Sequence, residues 1–392
     1  MKSVEEQKEA LCQGAAQIIS EKELLNKLAR NQPLRVKLGV DPTAPDIHLG
    51  HTVVLEKLRQ FQEWGHQAVL IIGDFTATIG DPSGRSATRP PLSREEVLAH
   101  AETYTAQAFK VLDRDRTEIV YNGDWFRQMT YEQVLRLNAS VTMQQMLQRE
   151  DFRNRIEKGQ EVRLHEIQYP IVQGWDSVEV KADVEIGGTD QLFNILVGRD
   201  LQKEQGMEQQ VVLCMPLLEG TDGVKKMSKS YGNYIGVADS PDEMFGKVLS
   251  ISDQLMRRYY LLLLGQEMDD SVHPMEAKKS LAGQLVARYH DQEAARAAWA
   301  NFEARFGQND QEATWPEVTI SQTAAETGLL AIVSEAYAKG FQSQRSNADL
   351  RRLVQQGSVQ LNGEKLEDPK IAPALKPGDL LKLDKKRSVR IA

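Results

Sequence analysis

Residues 36–51 read VKLGVDPTAPDIHLGH. Val36 to Val40 alternates like a strand, and Asp41-Pro42-Thr43-Ala44-Pro45-Asp46 is turn chemistry, since proline presets φ and aspartate bonds its own backbone. From His48 to Trp64 the apolar positions Val54, Leu55, Leu58 and Phe61 recur along one helical face. Ala68 to Ile72 is then a buried strand ending in Gly73-Asp74. Strand, helix, strand at this spacing begins a parallel sheet. Ile119-Val120-Tyr121 and Val211 to Met215 add strands. Between them, at about 125–165, a helical pattern interrupts the sheet like an insertion between the two halves of a doubly wound fold.

Outward from this centre, residues 1–33 read as helix, with Leu24, Leu25 and Leu28 at helical spacing and Pro33 closing the segment. From Pro241 to Phe306 the pattern is helix-rich, with Tyr259, Tyr260 and Leu261 to Leu264 as its core. GQNDQEATWP, residues 307–316, reads as a linker. The tail holds a short helix from Asn347 to Gln356, with Leu350, Leu353 and Val354 inward and Arg351, Arg352 and Gln355 outward. Val359-Gln360-Leu361 then meets Asn362-Gly363, a strong hairpin turn signal.

The chain has 392 residues, 41% of them hydrophobic and 27% charged, a mix that excludes disorder and collagen-like fibres. No apolar run approaches the ~20 residues that cross a bilayer, and the acidic N-terminal stretch has no secretory apolar core. Two cysteines, Cys12 and Cys214, exclude a disulfide framework and multi-cysteine zinc patterns. A soluble, cytoplasmic, multidomain chain is expected. Net charge is −8, but residues 325–392 carry 12 Lys and Arg against 8 Asp and Glu, or +4, leaving −12 for the rest. A basic module on an acidic body suits an appended nucleic-acid contact, or equally a solvated surface with a small lysine excess.

Two short runs carry chemistry. In His48-Leu49-Gly50-His51 the imidazoles share one face at the positive end of a helix, where backbone N–H groups suit phosphate oxygens. Gly50 lets a flat ring approach the backbone. An incidental pair or a metal site are the competing readings, and no HExxH or third ligand supports the metal. Lys226-Met227-Ser228-Lys229-Ser230 lies among Gly220, Gly223 and Gly232. Its lysines and hydroxyls make either a cationic flap over a polyphosphate or a solvated basic loop. A third constellation is Tyr169, Gln173 and Asp176 at i, i+4 and i+7 of one helical face. Gly187-Gly188-Thr189-Asp190-Gln191 follows it, and Asp81 supplies a further carboxylate.

HLGH and KMSKS, in this order on an α/β background, resemble the paired motifs of the class I aminoacyl-tRNA synthetases. With the third constellation, nearly the whole chain resembles the bacterial tyrosyl-tRNA synthetase family. That resemblance implies a Rossmann-like doubly wound catalytic domain over 1–235 and a helical anticodon-region domain over 236–306. It further implies a linker over 307–324 and a C-terminal alpha-L RNA-binding domain over 325–392. It implies activation of L-tyrosine by ATP and transfer to tRNA(Tyr). Asp81, Tyr169 and Gln173 match groups that hold the substrate ammonium, Asp176 the carboxylate that accepts the phenolic hydroxyl, and Gln191 the amide near the substrate carboxyl. Asp190 matches the ribose contact; Thr43, His48 and His51 match the phosphate and ribose side of ATP, with Gly50 under the adenine. Lys226, Lys229 and Ser230 match the loop around the leaving pyrophosphate, and Arg85 and Arg89 a second basic loop. Mg²⁺ would travel with ATP, with no metal held by the protein itself. A homodimer built through the helical insertion and no membrane contact are expected on the same ground.

The tail resembles the alpha-L module, with Arg345, Arg351, Arg352 and Lys365 as candidates for its RNA face. One departure stands out. Lys37 occupies the place where most members of one bacterial branch of the family carry a tyrosine that also contacts the phenol, and Leu38 replaces the cysteine that meets the ribose. The rivals are a tryptophanyl relative, another HxGH nucleotidyltransferase and a synthetase-like RNA-binding module without activity.

Overall fold

The structure is a computed structural model that describes residues 3–82, 92–306, 315–341, 343–366, 368–369, 371–384 and 387–392. Its larger sheet contains β1 (Gln17–Ile19), β2 (Arg35–Val40), β3 (Gln67–Ile72), β4 (Thr117–Tyr121), β5 (Val184–Gly188) and β6 (Val211–Met215), in the order β1-β6-β5-β2-β3-β4. β2 through β6 run parallel, and β1 adds antiparallel to β6. The chain steps from β2 outward through β3 to β4, then returns to the other side of β2 with β5. Strand order therefore reverses between β2 and β5, and the crevice beyond their carboxyl ends is where such sheets bind ligands.

Both faces of this sheet are covered, so the inner strands are nearly all apolar. Val36, Leu38, Leu70, Ile72, Val184 and Ile186 join the main core with Leu55, Leu58 and Phe61 of the HLGH helix, Leu49–Glu63. Val69 and Ile71 pack on the opposite face with Val180 and Ala182. The buried exceptions in the two central strands are Lys37 and Glu185. Four helices lie between β4 and the pocket helix Leu164–Glu179, the longest being Tyr131–Ala139. The pocket helix packs closely on the next helix, Leu192–Glu204: a Cβ on Gly174 would stand 3.0 Å from the Gly198 backbone nitrogen.

Three expectations are corrected. Residues 1–33 are not one helix: Val4–Cys12 ends before Gly14 at φ 74°, β1 pairs with Val212 to Cys214, and Ser20 then caps a second helix, Glu21–Leu28. Nor do residues 236–306 form a separate body. The main core runs without a break from Leu11 and Val36 to Tyr259, Leu285 and Ala298, and Met1–Phe302 is one compact unit. Polar ties cross the expected boundary: the Tyr289 hydroxyl donates to Thr52 Oγ1 at 3.0 Å, and Arg288 lies 2.9 Å from Glu56. Finally, the stretch read as linker to 324 already contains β7 (Glu317–Val318) and the helix Gln322–Thr327. Too short to show a period, β7 is held by pairing with residues over seventy positions later.

The second unit, Glu303–Ala392, has its own five-stranded sheet of β7, β8 (Gln360–Leu361), β9 (Glu364–Lys365), β10 (Leu380–Lys382) and β11 (Ser388–Ile391), ordered β7-β11-β10-β8-β9. Leu350 and Val354 of the helix Asn347–Gln355 enter its core with Ile332, Val333, Tyr337 and Val389. Asn362 and Gly363, at φ 51° and 88°, turn the β8–β9 hairpin. Among the described residues no helix is long and apolar enough to cross a membrane.

Candidate active site

β2 ends at Val40, and the turn after it delivers His48 to the N-terminus of the HLGH helix. The His48 backbone N–H donates to His51 Nδ1 at 3.3 Å, and the two rings stack 3.8 Å apart. Burial, then the neighbouring His51 and the lysines of the KMSKS loop, push the His48 imidazole down to about 2, so at neutral pH it is uncharged. Its Nδ1 is buried with no partner among the described residues. Gly50 donates its N–H to Met227 Sδ at 3.3 Å; a Cβ there would meet the His48 ring at 3.0 Å and Met227 Cβ at 3.4 Å. The two motifs therefore touch, and the absent side chain permits it.

The segment after KMSKS closes the contact. Leu49 N–H donates to Ile235 O at 2.9 Å, and Val237 N–H to Ile47 O at 2.9 Å. Asn233 accepts from Ser228 N–H at 2.8 Å and donates to Asp222 at 2.9 Å, shaping the loop. Lys226 Nζ stands 3.4 Å from Asp190 and Lys229 Nζ 2.8 Å from Asp46. Lys229 holds the Asp46 carboxyl below its usual range. Ser230 is exposed on the loop, its N–H donating to Ser228 Oγ.

Beyond the ends of β2 and β5 lies a cavity of about 300 Å³. Thr43, His51, Asp81, Tyr169, Gln173, Asp176, Asp190, Gln191 and Lys226, scattered over 184 positions of sequence, all line it. His48, Gly50 and Lys229 adjoin it through the contacts above. Arg85 and Arg89 lie outside the described residues.

Tyr169 donates its hydroxyl to Asp41 Oδ2 at 2.8 Å, and Thr76 Oγ1 donates to Asp41 Oδ1 at 2.6 Å. Burial first, then Asp41 and Asp81, hold the Tyr169 phenol well above its ordinary value, so it stays neutral. Gln191 donates to Asp81 at 2.9 Å; Asn194 donates to Gln173 at 2.8 Å and Gln191 at 3.0 Å, and accepts from Arg149 at 3.0 Å. Asp176 is buried among two donors, Trp125 Nε1 at 3.1 Å and Asn122 Nδ2 at 3.3 Å. Burial raises its carboxyl to about 7 against the pull of Lys37 and those two donors.

Sequence reasoning missed Asp41, Thr76, Asn122, Trp125, Arg149 and Asn194 as parts of this site. Asp41 read as turn chemistry, and its reach to Tyr169 crosses 128 positions, which no local period reveals. Asn122, directly after β4 where strand ends converge, had a signal in its position alone.

The profile of the family tRNA synthetases class I (W and Y) matches residues 29–307. The chain belongs to that family. Among curated relatives, the tyrosine–tRNA ligase of Francisella tularensis subsp. tularensis is 46% identical over 407 residues, covering 100% of this chain and 99% of its own. That of Bordetella pertussis is 52% identical over 371 residues, covering 91% and 88%. Solved class I synthetases share the fold. The C-terminally truncated mitochondrial tyrosyl-tRNA synthetase of Aspergillus nidulans has a TM-score of 0.63 at 22% identity, over 77% of this chain and 94% of that one. The Archaeoglobus fulgidus tyrosyl-tRNA synthetase complexed with L-tyrosine has 0.59 at 22%, over 76% and 100%.

The second unit of this synthetase carries the four basic residues read from the tail. Arg345, Arg351, Arg352 and Lys365 are all exposed. Arg345 stacks over Tyr337 at 5.6 Å, and Arg352 pairs with Asp349 at 3.0 Å while its side chain remains exposed. Lys365 sits on β9, across the hairpin from Gln360.

Proposed function

We propose that the chain is a cytoplasmic, homodimeric tyrosine–tRNA ligase, activating L-tyrosine with ATP and passing the tyrosyl group to the 3′ end of tRNA(Tyr). One observation carries the choice of amino acid: Asp176, buried in the cavity and fixed by Trp125 and Asn122, is an acceptor for a phenolic hydroxyl. Phenylalanine would bring no donor to it and would displace the water that otherwise solvates its remaining lone pairs, so part of its desolvation goes uncompensated.

In the first step the tyrosine carboxylate attacks the α-phosphorus of ATP, and the bond to the bridging oxygen of pyrophosphate breaks. Asp81, Tyr169 and Gln173 receive the substrate ammonium. Tyr169 suits this, because its proton is committed to Asp41, which leaves the hydroxyl oxygen of this cavity-lining side chain as an acceptor. Gln191 lies beside the carboxylate and Asp190 takes the ribose. Thr43, neutral His48 and His51 line the phosphate path, with Gly50 under the adenine. Lys226 and Lys229 exchange Asp190 and Asp46 for the departing pyrophosphate, where charge grows in the transition state, with Ser230, Arg85 and Arg89 assisting. Mg²⁺ arrives with ATP as part of the substrate. In the second step the ribose hydroxyl of the tRNA end attacks the acyl carbon and AMP leaves.

Residues 325–392 hold structured RNA through Arg345, Arg351, Arg352 and Lys365. The helical insertion supplies the subunit contact. Tyr131 and Leu164, 77% and 74% exposed, with half-exposed Leu135, Met143 and Ile156, are the large apolar side chains on the insertion that such a contact would cover.

The deciding experiment is amino-acid-dependent ATP–pyrophosphate exchange without tRNA, with tyrosine, phenylalanine and tryptophan. Exchange with tyrosine alone is expected. Exchange with tryptophan reassigns the pocket, and none with any of the three from folded protein overturns the proposal.

A further inference from the structure

Lys37 and Glu185 are register neighbours on the adjacent parallel strands β2 and β5. Their side chains are 0% and 2% exposed, beneath the pocket helix, with Lys37 Nζ 2.9 Å from Glu185 Oε1. The other two ammonium protons go to the helix itself: to the Gln173 carbonyl at 3.0 Å and to Ser177 Oγ at 2.8 Å. Ser177 passes its own proton to Glu185 Oε2 at 2.9 Å, and Gln210 donates to the same oxygen at 2.5 Å. All three lysine donors are used, and the carboxylate is satisfied on both oxygens. A well-packed apolar pair of the same volume is often as stable or more so, so stability is a poor reason for two charges here. Location is a better one. The atoms that Lys37 grips, on Gln173 and Ser177, bracket Asp176.

We propose that the Lys37–Glu185 pair is a positioning and charge-setting device for Asp176, holding the helical turn that carries it and balancing the local field so that it remains the anion that accepts the substrate phenol. The inference rests on the reading of Asp176 as the phenol acceptor. Lys37 is not among the residues that line the cavity; it acts through the turn and through its field. The groups facing Asp176 divide cleanly. Lys37 from β2 favours the ionised form and Glu185 from β5 opposes it. Asn122 and Trp125, following β4, donate as neutral groups, with the Asp74–Arg127 ion pair at 2.7 Å behind them. On its own helix Tyr169 stays neutral. With net charge zero in the pair, removing either member tips the balance in opposite senses.

That opposition is the test. Lys37→Met, Glu185→Gln and the double variant are made in the full chain, and tyrosine-dependent exchange is followed from pH 5.5 to 9, with Tm as the check on folding. Lys37→Met is expected to move the acid limb of kcat/KM for tyrosine to higher pH by about one unit or more, raising KM for tyrosine about fivefold or more at pH 7 with KM for ATP unchanged. Glu185→Gln is expected to move the same limb to lower pH, and the double variant to fall between. Should Lys37→Met fail to fold, the displacement between Glu185→Gln and the double variant decides the matter. Limbs that move together, stay in place, or move with equal losses for tyrosine and ATP overturn the proposal. Failure of the underlying reading is distinguishable: an unaltered tyrosine KM in Asp176→Asn would sink it whatever the Lys37 variants do.

Discussion

Asp176 concentrates the residue-scale chemistry. Its carboxyl titrates at about 7, raised from the ordinary carboxylate value, so acid converts it to the neutral form through the physiological range. Affinity for tyrosine is therefore expected to fall as pH drops through 7, approaching about tenfold per unit at lower pH, with the ATP dependence flatter. Initial-rate exchange at several pH values measures both. Asp176→Asn removes the charge while keeping the shape. Loss of a charge-assisted hydrogen bond worth ~1.5–3 kcal/mol corresponds to about 10- to 150-fold in KM for tyrosine, with little change for ATP. Equal losses for both substrates would show that the pocket is drawn wrongly. His48 behaves differently: held at about 2, it titrates outside any working range and acts as a neutral hydrogen-bonding group.

At the scale of elements, the pocket is a matter of how closely the pocket helix lies on its neighbour Leu192–Glu204. Gly174 makes the approach possible, since its absent Cβ would meet the Gly198 nitrogen at 3.0 Å and Leu201 and Val197 at 3.1 Å. Gly174→Ala is expected to destabilise the fold by ~1–3 kcal/mol, as overpacking against backbone does. A lower Tm with KM raised more for tyrosine than for ATP would mark the displaced face of Tyr169, Gln173 and Asp176. This face was legible from the i, i+4, i+7 spacing alone. β5 beside it was not read as a strand, because a short run interrupted by Glu185 looks polar until Lys37 is seen opposite it. β1 was hidden likewise: three residues between two helices become a strand through pairing with β6.

At the scale of the molecule, the chain forms two compact units. Met1–Phe302 encloses the cavity and its own core, while Glu303–Ala392 has a separate core and sheet. A chain ending at Gly307 is expected to keep tyrosine-dependent exchange and to lose tRNA charging, measured with radiolabelled tyrosine. Full-rate charging would remove the tail's assigned role. The insertion gives a second test: Leu135→Asp, on the exposed helix Tyr131–Ala139, is expected to shift sedimentation from dimer to monomer. An unchanged dimer would place the subunit contact elsewhere. The helices after Val237 belong to the first unit because Tyr289 and Arg288 tie them to the HLGH helix, a connection of over two hundred positions.

What the sequence determined by itself was whatever local order encodes: the strand–helix–strand start, the HLGH and KMSKS runs, one face of the pocket helix and the Asn-Gly hairpin. Each rests on a period or spacing within a dozen residues, where backbone geometry alone decides which side chains meet. Only the tertiary structure decided that Asp41 holds Tyr169, that Trp125 and Asn122 hold Asp176, and that Lys37 lies buried against Glu185. Those contacts join residues 51 to 148 positions apart, brought together by the reversal of strand order between β2 and β5. A buried charge can be explained only by its partner, and the partner becomes visible when the sheet is assembled.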